Sequence, residues 1–123
     1  MRTLVIDDSR AVRAFIRPIL LEMNLEVIEA GNGQEGLDRL REYPDTALVL
    51  VDWNMPVMDG LQFIQAVRAD RANDALRIVM VTTETESEQM NRAMAAGANE
   101  YVMKPFTREV LIAKLSLMDV FGD

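Results

Sequence analysis

The sequence predicts an α/β protein with a doubly wound, five-stranded parallel sheet flanked by five helices. Short apolar segments alternate with stretches of helical apolar spacing along the 123 residues. The central apolar segments show no inside–outside alternation, as expected of parallel strands that are buried on both faces. No linker, repeat or low-complexity segment interrupts the series. We therefore expect a single domain over residues 1–123.

The clearest predicted strand covers residues 47–51, five apolar residues that lead directly into Asp52. The residues that follow are typical of a loop, so the carboxylate lies where the strand ends. In open α/β sheets this carboxyl edge is where ligands bind. A charge there needs compensation, because an unpaired buried carboxylate is costly. Considered alone, Asp52 is equally compatible with an ordinary helix-cap or turn aspartate.

The first predicted strand, residues 4–6, ends at two adjacent acids, Asp7 and Asp8. A helix follows, with Asp8 or Ser9 as its N-cap. Pro18 lies inside this helix on its outer face and is expected to bend it. The predicted inward face consists of Val12, Phe15, Ile16, Ile19, Leu20 and Met23.

The middle of the chain continues the alternation of strand and helix. Residues 25–30 alternate as an edge strand does, and residues 31–33 form a turn. A short helix over 34–43 ends before a proline. After the Asp52 loop, a helix is predicted over 61–70. Its predicted buried residues are Leu61, Ile64 and Val67.

The last part of the chain contains two more strands, residues 78–81 and 99–103. Thr85 and Glu88 form a capping-box pattern that opens the fourth helix, and Thr107 is expected to cap the fifth. The predicted inward face of the fourth helix is Met90, Ala93, Met94 and Gly97. For the fifth helix it is Leu111, Leu115 and Met118.

Polar residues follow four of the five predicted strands. Asp7 and Asp8 follow the first strand, Asp52 the third, Thr82 the fourth and Lys104 the fifth. Three carboxylates cannot share one edge without a cation, because their mutual repulsion is strong in a partly desolvated cleft. Oxygen ligands favour a hard ion, Mg²⁺ or Ca²⁺, and a site with open positions suits Mg²⁺. The cluster therefore predicts a phosphoryl-binding site beside a metal.

The motifs at these strand ends resemble those of the receiver domain of two-component response regulators, in the same order and with the same spacing. The closest similarity is to the chemotaxis members of the family, and it covers essentially the whole chain. The motifs are Asp7-Asp8, Asp52-Trp53-Asn54-Met55-Pro56 with Met58-Asp59-Gly60, Thr82, Tyr101, and Lys104-Pro105-Phe106. The resemblance implies a flavodoxin-like strand order, 2-1-3-4-5, and a receiver domain without an output domain.

The resemblance also implies a mechanism. Asp52 accepts a phosphoryl group from a kinase phosphohistidine, and Lys104 neutralises one of its oxygens. Backbone N–H groups near Trp53 and Thr83 supply further donors. The implied Mg²⁺ ligands are Asp7, Asp8, Asp52 and the backbone carbonyl of Asn54. The sequence leaves open which of the first two acids binds the metal directly.

The resemblance also implies a conformational switch and residues that set the rate at which the acyl phosphate is hydrolysed. Thr82 turns its hydroxyl toward the phosphoryl group, and Tyr101 moves inward. The output surface is the face of the fourth helix, fifth strand and fifth helix, around Met90, Tyr101 and Lys114. Asn54, Thr83 and Glu84 flank the site and tune attack by water. Thr83 departs from the alanine or glycine common in the family, so we expect its branched side chain to narrow the opening.

The composition of the chain limits the kinds of partner it can bind and the cellular location expected for it. The chain has no histidine and no cysteine, which excludes imidazole or thiolate metal sites and a phosphohistidine of its own. A net charge of −7 argues against nucleic acid or membrane as a direct partner. No segment has the length of a signal peptide core or membrane span. We expect a cytoplasmic monomer that binds a histidine kinase, a downstream protein such as a flagellar motor switch, and a phosphatase.

Several other functions remain compatible with the sequence. A Mg²⁺-dependent aspartyl phosphatase would need a substrate-binding cap and usually an acid where Asn54 stands. An interaction module with a vestigial site is disfavoured by the intact motif residues. A phosphorelay intermediate or a receiver fragment of a longer regulator fits equally well. A calcium loop at Asp52 is disfavoured, because Val57 occupies the glycine position and a strand precedes it. We expect a phosphoacceptor that assists its own phosphorylation and dephosphorylation, and not a conventional enzyme.

Overall fold

The computed structural model describes residues 1–83 and 87–118. Within them, strands and helices alternate, with one short 3₁₀ turn, Arg71–Asn73, before the fourth strand. The strands are β1 (Arg2–Ile6), β2 (Glu26–Ala30), β3 (Thr46–Asp52), β4 (Arg77–Thr82) and β5 (Glu100–Met103). The helices are α1 (Arg10–Glu22), α2 (Gly33–Glu42), α3 (Gly60–Arg68), α4 (Ser87–Ala96) and α5 (Arg108–Ser116).

The five strands form one parallel sheet in the order β2-β1-β3-β4-β5. This order and the edge position of β2 confirm the sequence predictions. Because parallel strands all end at the same edge, the ends of β1, β3, β4 and β5 lie side by side. The register places Asp52 beside Val81 and Thr82 beside Met103.

The sheet separates two apolar layers, since successive strand residues point to opposite faces. One layer packs α2, α3 and α4 against alternate residues of the central strands, including Ile6, Val49, Val51, Ile78 and Met80. The other packs α1 and α5 against the intervening residues, including Val5, Leu48, Leu50, Val79 and Val81. The central strands are thus buried on both faces, which explains their continuous apolar sequences.

Side-chain caps begin the helices next to the carboxyl edge. Ser9, one of the two candidates, caps α1 by accepting the Val12 N–H at 3.2 Å. Asp59 caps α3 in a reciprocal box with Gln62, so its role is that of a cap and turn residue. Thr107 caps α5, as predicted. The predicted box at the start of α4 includes Thr85, which lies outside the described residues.

Two predicted core positions are wrong. Phe15 is 47% exposed and Met94 is 41% exposed, whereas Leu61 is partly buried and packs against the core. On the helical wheel Phe15 lies about 100° from Ile16, and Met94 about 100° from Ala93. The buried stripe is narrower than the sequence spacing suggested. In α3 that stripe is rotated toward Phe63, which is fully buried.

Arg68 ties the ends of α3, α4 and β4 together at the opposite edge of the sheet. Its guanidinium donates to the carbonyl oxygens of Gly97 at 3.0 Å, Asn73 at 2.7 Å and Leu76 at 2.7 Å. It also donates to the Asn99 side-chain oxygen at 3.0 Å. Burial lowers the pKa of Arg68, but arginine remains charged under ordinary conditions.

No helix within the described residues is both long enough and apolar enough to cross a bilayer.

Candidate functional site

The carboxyl edge of the sheet brings the predicted acidic residues together. Asp7 and Asp52 are buried, with 2% and 7% of their surfaces exposed, whereas Asp8 is exposed. A carboxylate oxygen from each of the three lies within 4.8 Å of the others. The sequence could not distinguish the two adjacent acids. In the structure Asp7 continues the line of β1 into the site, while Asp8 faces solvent.

Lys104 joins the two buried carboxylates. Its Nζ donates to Asp7 Oδ2 at 2.9 Å and to Asp52 Oδ1 at 3.2 Å. Its backbone N–H donates to the Thr82 carbonyl at 2.8 Å, which fixes the residue at the end of the β4–β5 ladder. The other oxygen of Asp7 accepts the Ser9 N–H at 2.9 Å. One cation thus links residues from three strand ends.

Burial and charge act in opposite directions on these groups. Burial raises the pKa of Asp52, the neighbouring charge of Asp7 raises it further, and Lys104 only partly offsets both. Burial lowers the pKa of Lys104, but the hydrogen bonds and charges of Asp7 and Asp52 outweigh this, so its pKa is raised overall. Lys104 is therefore held in its charged form, whereas the negative charge of Asp52 is only partly compensated.

The oxygen donors of the site fit a hard divalent cation. Three carboxylates converge, two of them share a single lysine, and the chain has no histidine or cysteine. Such a set suits Mg²⁺, which prefers a few carboxylates together with water. Asn54, the fourth predicted ligand, is exposed in the loop two residues beyond Asp52.

The loop after β3 is held against the strand end by Gly60. A Cβ at this position would lie 2.4 Å from the Asp52 carbonyl oxygen and 3.0 Å from the Trp53 Cα. The Gly60 N–H donates to the Trp53 carbonyl at 2.9 Å. The absence of a side chain therefore lets α3 begin directly beneath the acidic site. In the sequence this glycine is distinguished only by its place in the motif Met58-Asp59-Gly60.

The predicted N–H donors of the site differ from one another in the structure. The Trp53 N–H donates to the Val81 carbonyl at 3.1 Å and so belongs to the β3–β4 ladder. The prediction concerned N–H groups near Trp53 and not this group alone, so it stays a prediction. Thr83 is exposed immediately beyond β4. Glu84, predicted to tune hydrolysis, lies outside the described residues.

Thr82 and Tyr101, the predicted switch residues, lie on the same face of the sheet. Thr82 is buried at the end of β4, and Tyr101 is half-buried in β5. Met80 pairs with Tyr101 and Thr82 pairs with Met103, so the two switch residues are one step apart on that face. The Lys114 Nζ lies 4.9 Å from the centre of the Tyr101 ring and 3.5 Å from a Glu100 oxygen.

Comparisons with known proteins agree with this geometry. The model of the response regulator receiver domain family matches residues 3–116. Chemotaxis protein CheY1 of Helicobacter pylori (strain J99 / ATCC 700824) is 40% identical over 119 residues, 96% of each chain.

Solved structures are similar as well. Chemotaxis response regulator CheY4 of Vibrio cholerae gives a TM-score of 0.88 at 34% identity, covering 94% of this chain and 96% of that one. A two-component system response regulator/GGDEF domain protein gives a TM-score of 0.89 at 32% identity, covering 95% of this chain and 48% of that one. This chain spans about half the length of that second protein.

Proposed function

The chain belongs to the response regulator receiver domain family and is of the CheY type, and from this premise we propose that it is a phosphorylation-activated response regulator. Its phosphoryl acceptor is Asp52, and its donor is a phosphohistidine of a histidine kinase. The observation that carries the proposal is the Lys104 bridge between Asp7 and Asp52, beside a third carboxylate. Receiver domains of the CheY type are signalling domains, so the phosphorylated form of the protein serves as the signal.

The chemistry follows from the placement of these side chains. An oxygen of Asp52 attacks the phosphorus, and the bond to the histidine nitrogen breaks. Lys104, whose raised pKa keeps it charged, neutralises one phosphoryl oxygen. Asp7, Asp8, Asp52 and the Asn54 carbonyl would hold Mg²⁺, which would supply further positive charge beside the transferred group. This is positioning and electrostatic stabilisation, which is what a loose phosphoryl-transfer transition state requires.

The signal leaves through the surface of α4, β5 and α5. Thr82 contacts the phosphoryl group, and Tyr101 adjusts on the same face of the sheet. The half-buried tyrosine, covered by Lys114, is suited to two alternative positions. The downstream partner is a separate protein, for which a flagellar motor switch is one candidate, and a phosphatase ends the signal.

The test is the intact mass of the protein after incubation with acetyl phosphate and Mg²⁺. We expect the wild type to gain one phosphoryl group and Asp52→Asn to gain none. The matched control is Asp38→Asn, an exposed helical acid paired with Arg41, which should gain it normally. Asp8→Ala should require more Mg²⁺, because the site loses a ligand. Phosphate on another residue, Mg²⁺-independent uptake, or turnover of an added phosphoester would contradict the proposal.

A further inference from the structure

A groove of about 520 Å³ opens beside the acidic site. Its lining includes Val12 and Phe15 of α1, Pro105 and Phe106 of the β5–α5 loop, and Thr83 and Lys104. Lys104 is shared with the site, since its Nζ is 3.2 Å from Asp52 Oδ1. We call this space the donor groove. It is continuous with the place where the phosphoryl group would be transferred.

The walls of the donor groove are apolar and partly aromatic. The rings of Phe15 and Phe106 lie 5.7 Å apart and are tilted by 57°. Phe15 is 47% exposed, so much of its ring remains in contact with water. A third ring placed beside such a pair gains both apolar burial and a favourable aromatic contact.

The two ends of the donor groove differ in charge. The lysine ammonium stands beside Asp52, whereas none of the groove-lining residues in the described part of the chain is acidic. A ligand that fits has an anionic phosphoryl end and an apolar end. Mg²⁺ and Lys104 suit the first end, and the phenylalanines suit the second.

We propose that the donor groove binds the apolar leaving group of small aromatic acyl phosphates, which makes them better phosphoryl donors than acetyl phosphate. This inference rests on the proposed function of Asp52. An Asp52 oxygen forms a bond to phosphorus while the bond from phosphorus to the bridging oxygen breaks. The electron pair leaves with the donor carboxylate, so that benzoyl phosphate yields benzoate. No proton, oxidant or further reactant is required.

The expected preference is moderate. The methyl group of acetyl phosphate reaches little of the apolar wall, whereas a phenyl ring covers much more of it. Partial burial of one ring in an open groove corresponds to about a fivefold to tenfold gain in the second-order rate constant of phosphorylation. The gain in rate arises from binding of the leaving group, because both donors transfer the same phosphoryl group from a carboxylate oxygen.

The experiment compares initial rates of phosphorylation by benzoyl phosphate and acetyl phosphate at fixed Mg²⁺, followed by intact mass. Each rate is divided by the rate constant for uncatalysed P–O cleavage of that donor's dianion in the same buffer, which corrects for the difference between the benzoate and acetate leaving groups. In the wild type the benzoyl-to-acetyl ratio should be about five to ten. Phe15→Ala removes one wall, and Ala11→Leu fills the groove from the same helix. Both should bring the ratio close to one.

Leu21→Ala is the matched control, since Leu21 is 48% exposed on the same helix but does not line the groove. It should keep the wild-type ratio. A wild-type ratio of one, or a ratio that neither groove variant lowers, would overturn the inference while leaving Asp52 as the acceptor. Failure of both donors to phosphorylate the wild type would overturn the proposed function itself.

Discussion

Asp52 carries an unfavourable charge, because it is buried beside Asp7 and shares Lys104 with it. The exposed carboxylate of Asp8 adds to the repulsion. The folded-state pKa of Asp52 is therefore raised above its ordinary value of 3.8. A proton is bound more tightly in the folded state than in the unfolded state. Stability consequently falls as the pH rises above 3.8 and Asp52 ionises.

Asp52→Asn should therefore stabilise the protein at pH 7 in the presence of a chelator. We expect a rise in melting temperature of a few degrees, or about 1 kcal/mol of unfolding free energy. The gain should shrink as the pH falls toward 3.8, where the wild-type carboxyl is itself protonated. Asp38→Asn, at an exposed ion pair, should change little. A gain that grows on acidification would contradict the sign of the shift.

Thr3 is a second residue whose polarity is poorly accommodated. It is fully buried in β1, and its hydroxyl has no hydrogen-bond partner among the residues that the structure describes. Thr3→Val should raise the unfolding free energy by about 1 kcal/mol, because the shape is kept and an unsatisfied group is removed.

Thr46→Val in β3 is the counterpart of this change. The Thr46 hydroxyl donates to the Tyr43 carbonyl at 2.7 Å, so its loss should destabilise the fold. Urea unfolding of both variants measures the two effects. If both substitutions shifted the midpoint in the same direction, hydrogen bonding would not explain the difference.

At the level of the elements, the start of α3 depends on Gly60. Gly60→Ala should lower the unfolding free energy by about 1–3 kcal/mol, because its Cβ would press on the backbone of the β3 end and not on a movable side chain. It should also slow phosphorylation by displacing Asp52. Gly31→Ala is the control, since its Cβ would meet nothing closer than 3.6 Å. Chemical denaturation measures the first effect and the rate of phosphorylation measures the second. A loss of stability with an unchanged phosphorylation rate would show that Gly60 does not position Asp52.

The strands could be predicted because both faces of the sheet are apolar, whereas their order followed from the resemblance to receiver domains. The candidate site could be predicted to the same extent, since Asp7, Asp52 and Lys104 directly follow such strands. The buried faces of the helices were harder to predict from the sequence. A residue about 100° from the centre of the stripe, such as Phe15, is buried or exposed according to how far the neighbouring loop extends. That loop comes from β5, which is distant in sequence.

Long-range polar contacts left no signal in the sequence. Arg68 binds three backbone carbonyls, two in the α3–β4 connection and one after α4, and any carbonyl can accept such a bond. The division between buried Asp7 and exposed Asp8 is similar, since adjacent acids look alike until the direction of the chain after β1 is known. The ladder bond of Trp53 depends on the register of β3 and β4.

At the level of the whole molecule, Thr82 at the acidic edge and Tyr101 on the proposed output surface lie on one face of the sheet. Thr82→Ala should still accept a phosphoryl group but should couple it at least about fivefold less strongly to Tyr101. The hydroxyl that contacts the phosphoryl group is lost, while the acids and Lys104 remain. Thr83→Ala, at the exposed neighbour, should retain the coupling.

The measurement is the chemical-shift change of the Tyr101 region on adding beryllofluoride, a stable phosphoryl mimic. A full response in Thr82→Ala would show that the signal reaches the surface by another route. Equal loss in both threonine variants would show that the response depends on general packing around the site.

The Lys104 bridge also bears on how the chain acquires its activity during folding. The lysine reaches back 97 residues to Asp7 and 52 residues to Asp52. Such distant contacts form late, because a long loop must close before they can be made. A growing chain in which β1 and β3 have paired still lacks its cation until β5 joins the sheet. If Asp52 is the acceptor, as proposed, uptake of a phosphoryl group therefore reports that β5 has joined the sheet and that the fold is complete.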